Sequence, residues 1–278
     1  MLTRSVRPKG TTNDRSWPIP DLQYFFKRKL VNPFMNSEKK RDLLIITLIY
    51  LFCAAAIIFL KINFLFSVIL LFGLPSSYIS FKSRGIIRKT LVYSAVFVIP
   101  LTAIGYYMGV LSKTWNTSLM IPWMFIYLYF IISFYEYFYD EDKKKDKMSK
   151  NMKYLIWINL TLIILFTIIY FLNKDLLNIK YFYAILILVV FVFPIVFINW
   201  NFPSLIKKVT IQGAYFFLLS LIYELIALHL GYWTFGEGNY IGWVTLFGYG
   251  MPFEEILWLI LAVPAGISIY EFFDDDER

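Results

Sequence analysis

Tyr154-Leu155-Ile156-Trp157-Ile158-Asn159-Leu160-Thr161-Leu162-Ile163-Ile164-Leu165-Phe166-Thr167-Ile168-Ile169-Tyr170-Phe171-Leu172-Asn173 carries no charged side chain from end to end. As a helix of about twenty residues it spans roughly 30 Å, the thickness of a bilayer's hydrocarbon core. Seven more blocks of this kind occur, and together they predict spans at 43–61, 63–80, 90–111, 118–139, 154–173, 181–200, 210–231 and 250–272. The chain is 59% hydrophobic and 21% aromatic, with a mean hydropathy of +0.62. A soluble domain of this size is nearer half apolar. Strand patterns are absent from the sequence, and lipid offers no partner to an open backbone edge, so the spans read as helices. The expected fold is all-α: a polytopic membrane protein of eight transmembrane helices.

The net charge of +8 raises nucleic acid as a partner, and its distribution argues against one. With an inside N-terminus, all but four of the 27 basic residues fall on the inner side. The four exceptions are Lys61, Lys113, Lys174 and Lys180. This is the asymmetry of the positive-inside rule, and it predicts a multi-pass protein of the plasma membrane with both termini cytoplasmic. The basic side chains then meet anionic headgroups rather than nucleic acid. The sole cysteine, Cys53, lies in the first span, which excludes an intramolecular disulfide.

The two halves resemble each other. Ile86-Ile87-Arg88-Lys89 precedes the third span as Leu205-Ile206-Lys207-Lys208 precedes the seventh. Phe134-Tyr135-Glu136-Tyr137-Phe138 ends the fourth as Ile269-Tyr270-Glu271-Phe272-Phe273 ends the eighth. The expected organisation is a basic cytoplasmic tail over 1–42, a first repeat over 43–142, a basic linker over 143–153 and a second repeat over 154–278. Four spans per copy give parallel repeats related by a twofold along the membrane normal.

Acids inside spans are costly and mark function by default. Glu224 lies in the seventh span on a face shared with Gly213, Phe217, Ser220, Ala227 and Gly231, small residues that let helices approach. Glu254 and Glu255 follow Pro252 and Phe253 at the start of the eighth. They stand about 100° apart on a helix, so one is expected to face a cavity and the other to support or cap. Proline and acids also suit a helix's first turn on their own account. Glu255 shares a stripe with Ala262 and Gly266, and Glu254 one with Trp258, Leu261 and Ala265. Glu136 and Glu271, beside acidic runs at inner helix ends, are expected to be solvated. Trp233, Phe235, Trp243, Phe253 and Trp258 crowd the three central glutamates in sequence. They are candidate substrate-binding residues whose faces suit a polyene or a developing carbocation. His229, the only histidine, joins this set as a weaker candidate, and a lone histidine with no cysteine partner offers no metal cluster. No dinucleotide or phosphate-loop pattern is found, so no cofactor is expected.

The ordered set Tyr223-Glu224, Gly231-Tyr232-Trp233-Thr234-Phe235, Tyr240-Ile241-Gly242 and Pro252-Phe253-Glu254-Glu255 resembles the integral-membrane lycopene cyclase domain. The match covers about 50 residues closely and the remainder by architecture. The resemblance implies a redox-neutral isomerase, an intramolecular lyase that cyclises the end of a linear carotenoid without a cofactor. On this chain it implies catalytic roles for Glu254, Glu255 and Glu224, with Pro252 and Gly231 structural. It also implies a lipid-soluble polyene or isoprenoid as substrate, and oligomers with itself or with another cyclase-type subunit. The chain departs from the family pattern at Glu224, where Asp is expected, and at Trp258, where Phe is usual. In the first half the counterparts of Glu254 and Glu255 fall on Leu119 and Met120 or on Met124 and Phe125, none of them acids. A carotenoid or isoprenoid binder, a partner subunit and a transporter are the other readings of the same architecture.

Overall fold

The computed structural model describes residues 36–107, 117–139, 151–177, 179–235 and 239–274. Among them are eight helices long and apolar enough to cross a membrane. They are α1 Ser37–Leu60, α2 Phe64–Lys82, α3 Ile87–Tyr107, α4 Thr117–Phe138, α5 Met152–Asn173, α6 Phe182–Asn201, α7 Ser204–His229 and α8 Phe253–Asp274. The protein is an all-α polytopic membrane protein.

Helix ends differ from the expected ones for local reasons. α1 starts at Ser37, inside the expected tail, because the Asn36 side chain accepts the Lys39 backbone N–H at 2.8 Å and caps it. α5 likewise begins at Met152, inside the expected linker, whose residues 143–150 lie outside the described ones. α7 stops at His229 because Gly231 takes φ +66°. The Tyr232 N–H then returns to the Ala227 carbonyl at 2.8 Å and Gly231 N–H to Leu228, closing a Schellman motif.

The expectation that the chain has no strands is corrected by a hairpin between α7 and α8. β1 Trp243–Leu246 pairs antiparallel with β2 Tyr249–Pro252, Leu246 opposite Tyr249. Phe247 and Gly248 both have positive φ, as a two-residue hairpin turn of the right twist requires. A Phe in place of the usual Asn or Asp hides this signal in the sequence. The hairpin also delays α8 to Phe253.

The second helix of each half is interrupted in the same register. α2 contains a π turn at Ile69–Gly73 followed by Leu74-Pro75, and α6 one at Leu188–Val192 followed by Phe193-Pro194. The two turns stand at the interval that separates Arg88-Lys89 from Lys207-Lys208. Packing follows the same pattern in both halves. α3 and α2 pack on α4, as α7 and α6 pack on α8. The first helix of each half crosses to the other, α1 onto α7 and α5 onto α3. α4 and α8 meet centrally, with the rings of Tyr135 and Tyr270 at 6.3 Å.

The core sits along α4, α7 and α8. Of the α4 apolar window 56% is buried, against 6% for α5, whose side chains therefore face lipid. Buried polar clips join the central helices. Tyr127 and Ser220 hydroxyls meet at 2.6 Å, Gln212 Nε2 donates to the Ile131 carbonyl at 2.8 Å, and Asn199 Nδ2 donates to Ser268 Oγ at 3.0 Å. α7 and α8 cross where Gly213 faces Pro264. A Cβ on Gly213 would lie 2.8 Å from Pro264 Cγ and 3.3 Å from its Cδ, with a rigid ring on one side and a helix backbone on the other. Gly213→Ala is therefore expected to lower stability by about 1–3 kcal/mol, through overpacking. Thermal unfolding in detergent reads this, and an unchanged midpoint would mean that α8 yields freely.

Candidate active site

Three glutamates gather at the end of the bundle where α7 stops and α8 starts. Glu224 lies about 8 Å from the α7 terminus at 1.5 Å per residue, and Glu254 and Glu255 form the first turn of α8. Glu224 and Glu254 are buried and Glu255 is half-buried. The carboxyls of Glu224 and Glu255 lie within electrostatic reach of each other. The expected divergence of the adjacent pair is observed, and each acid finds a different partner.

Glu254 Oε1 accepts the backbone N–H of Ile241 at 2.6 Å, pinning the segment before the hairpin. Its Oε2 is buried and meets no donor among the described residues. The Phe253 N–H donates to the Gly242 carbonyl at 2.9 Å, so the foot of the hairpin is tied to α8 twice. Glu255 Oε2 accepts the Tyr183 hydroxyl at 2.5 Å across the α6–α8 contact. Glu224 Oε1 accepts the Trp233 indole N–H at 2.9 Å, and that tryptophan is itself buried. Burial, then the negative charges of Glu254 and Glu255, push the Tyr240 phenol above its ordinary value.

Aromatic rings wall the glutamates. Trp233 sits 5.5 Å from Tyr223, 6.0 Å from Trp123 and 6.0 Å from Phe64, centroid to centroid. The Tyr223 hydroxyl is buried and has no hydrogen-bond partner among the described residues. Trp258 packs on Tyr183 and Phe191, with rings at 5.9 and 4.6 Å. Phe235 packs against the core from the loop after α7.

Of the residues expected to bind substrate, Trp233, Phe235 and Trp258 accompany the acids. Trp243 and Phe253 are exposed instead. Strand alternation turns Trp243 outward, and Phe253 precedes the buried Glu254 on the opposite side of the turn. His229 is exposed too and bonds the Tyr249 hydroxyl at 2.7 Å through Nδ1, which makes it a tie between α7 and the hairpin. Pro252 is the last strand residue, buried and just outside the helix. Sequence reasoning missed Tyr183, Tyr223 and Trp123. They come from three different helices, so no spacing along the sequence brings them together; Tyr223 stands in the quoted motif beside Glu224, but only as its neighbour.

The other acids expected in solvent are buried. Glu136 and Glu271 are closed off at the opposite end of the bundle, with Lys89 and Asp274. Lys89 Nζ lies 3.0 Å from Glu136 Oε1 and also pairs with Asp274, while the Tyr270 hydroxyl donates to Glu136. The acidic runs that follow both residues in the sequence suggest water, whereas the folded bundle buries Glu136 and Glu271.

Searches against protein-family profiles, curated proteins and solved structures found nothing that matches this chain.

Proposed function

We propose that the chain is a carotenoid-cyclase-like isomerase that closes a ring at the end of a linear polyene within the bilayer. The observation that carries this reading is the gathering of Glu224, Glu254 and Glu255 among apolar walls, with one buried carboxyl oxygen of Glu254 left without a donor among the described residues. The chemistry needs a neutral carboxyl to protonate a terminal C=C and a carboxylate to remove a proton from the cyclised cation. Carboxyls in unlike low-dielectric settings divide in this way. Protonation leaves a tertiary cation, the neighbouring double bond attacks it to form the ring C–C bond, and loss of an adjacent proton restores a C=C. Substrate and product are isomers, so no redox partner is required. Aromatic faces such as those of Trp233, Tyr223 and Trp258 stabilise the passing positive charge. The basic end of the bundle would face the cytoplasm at the plasma membrane.

Expression in a lycopene-accumulating host tests the reading: cyclic carotenoid is expected in the pigment extract. Well-expressed protein with only linear pigment would overturn catalysis by this chain alone. The second reading is a partner subunit, favoured by the absence of acids at the matched positions of the first half, Met124 and Phe125. Product formed only on co-expression with a separate cyclase-type protein would select it.

A further inference from the structure

From Asn239 to Phe253 the chain has no charged residue, yet much of this segment is exposed. Ile241 is 61% exposed, Trp243 54% and Phe247 81%. At the same end of the bundle Phe59 and Leu60 close α1 and Phe171 and Leu172 close α5, all exposed. Large apolar side chains exposed in such number are not left to bulk water. The hairpin also cannot sit deep in hydrocarbon. Among the described residues β1 and β2 pair only with each other, so the half-exposed β1 keeps an open edge of N–H and C=O groups that hydrocarbon would leave unsatisfied. Only one layer meets both demands: the headgroup–acyl boundary, where water reaches the strand edges and lipid covers the rings. Tyr240, Trp243 and Tyr249, rings with a polar handle, suit that depth.

We propose that the hairpin lies in the lipid interface, with Trp243 and Phe247 seated against acyl chains and the strand edges hydrated. This makes the hairpin a membrane-anchored strap. Its foot holds Glu254 through the Ile241 N–H, so the lipid layer that seats the hairpin also fixes the position of a buried acid. The inference stands on exposure and backbone pairing, and is independent of any catalytic reading.

Cys53 is the only cysteine, which makes site-directed spin labelling direct. In a Cys53→Ala background, Phe247→Cys and Trp243→Cys carry a nitroxide in phosphatidylcholine vesicles containing phosphatidylglycerol. Collision rates with oxygen and with a water-soluble nickel chelate give depth. Phe52→Cys, exposed along α1, marks the hydrocarbon, and Arg84→Cys, exposed beyond α2, marks water. The expected result is nickel accessibility at 247 and 243 several-fold below that at 84 and several-fold above that at 52. Values equal to those at 84 would overturn the proposal by placing the hairpin in water. Values equal to those at 52 would overturn it by placing the strands in hydrocarbon. Shielding from both reagents would overturn it in favour of a protein partner. The two labelled sites serve as checks on each other should one substitution disturb the turn.

Discussion

Lys89→Met is expected to destabilise the folded protein by about 3–5 kcal/mol, the usual loss when one partner of a buried ion pair is removed. The size follows from what remains. Lys89 is buried and holds both Glu136 on α4 and Asp274 on α8, with its ammonium 5.3 Å from the centre of the Tyr270 ring. Both acids also sit near helix C-termini, where the backbone dipole already favours positive charge. Without the ammonium, Glu136 and Asp274 lose the counter-charge they share in a closed site. Unfolding in detergent micelles reads the loss, and adding Glu136→Gln should recover part of it by removing one stranded charge. Full stability in the single variant would mean that water reaches the cluster freely. Because the cluster lies at the end of the bundle far from Glu254, activity per folded molecule should be unchanged.

The second large effect is chemical. Glu254→Gln and Glu255→Gln should each lower turnover by about 10²- to 10⁴-fold, the usual worth of a positioned proton transfer. Gln preserves shape and, at Glu254, still offers a carbonyl oxygen to the Ile241 N–H, so the loss reports the proton rather than the fold. Retained product in both variants would defeat the acid/base assignment. The assay is pigment analysis normalised to folded protein, because a drop in abundance would mimic a drop in rate.

How much was legible in the sequence depended on the physics involved. The eight helices could be read because lipid demands about twenty apolar residues in a row and tolerates few substitutes. The nearness of Glu224 to Glu254 followed from topology alone, since adjacent antiparallel spans place the end of one beside the start of the next. What failed was anything decided by contacts between distant segments. Glu271 resembles a solvated helix end until the folded bundle is seen to bury it. Tyr183 resembles one more interfacial tyrosine until α6 is laid against α8. Trp243 resembles a pocket residue until a two-residue turn fixes which way its strand faces. The hairpin was hidden because its residues are as apolar as the helices around it, so composition could not separate them.

The π turn in α6 settles a question of angular phase. At about 100° per residue, an uninterrupted helix would carry Asn199 about 160° round from Tyr183, and the two could not share a face. A π turn takes up roughly one extra residue, which cuts that offset to about 60°. Tyr183 can then reach Glu255 while Asn199 reaches Ser268, both on α8. Deleting a single residue between Leu188 and Val192 would leave fifteen residues of regular α-helix in the same phase, about 60°, so both contacts to α8 should survive. Straightening the turn with every residue kept would instead return the offset to about 160° and make the contact to Glu255 and the contact to Ser268 mutually exclusive.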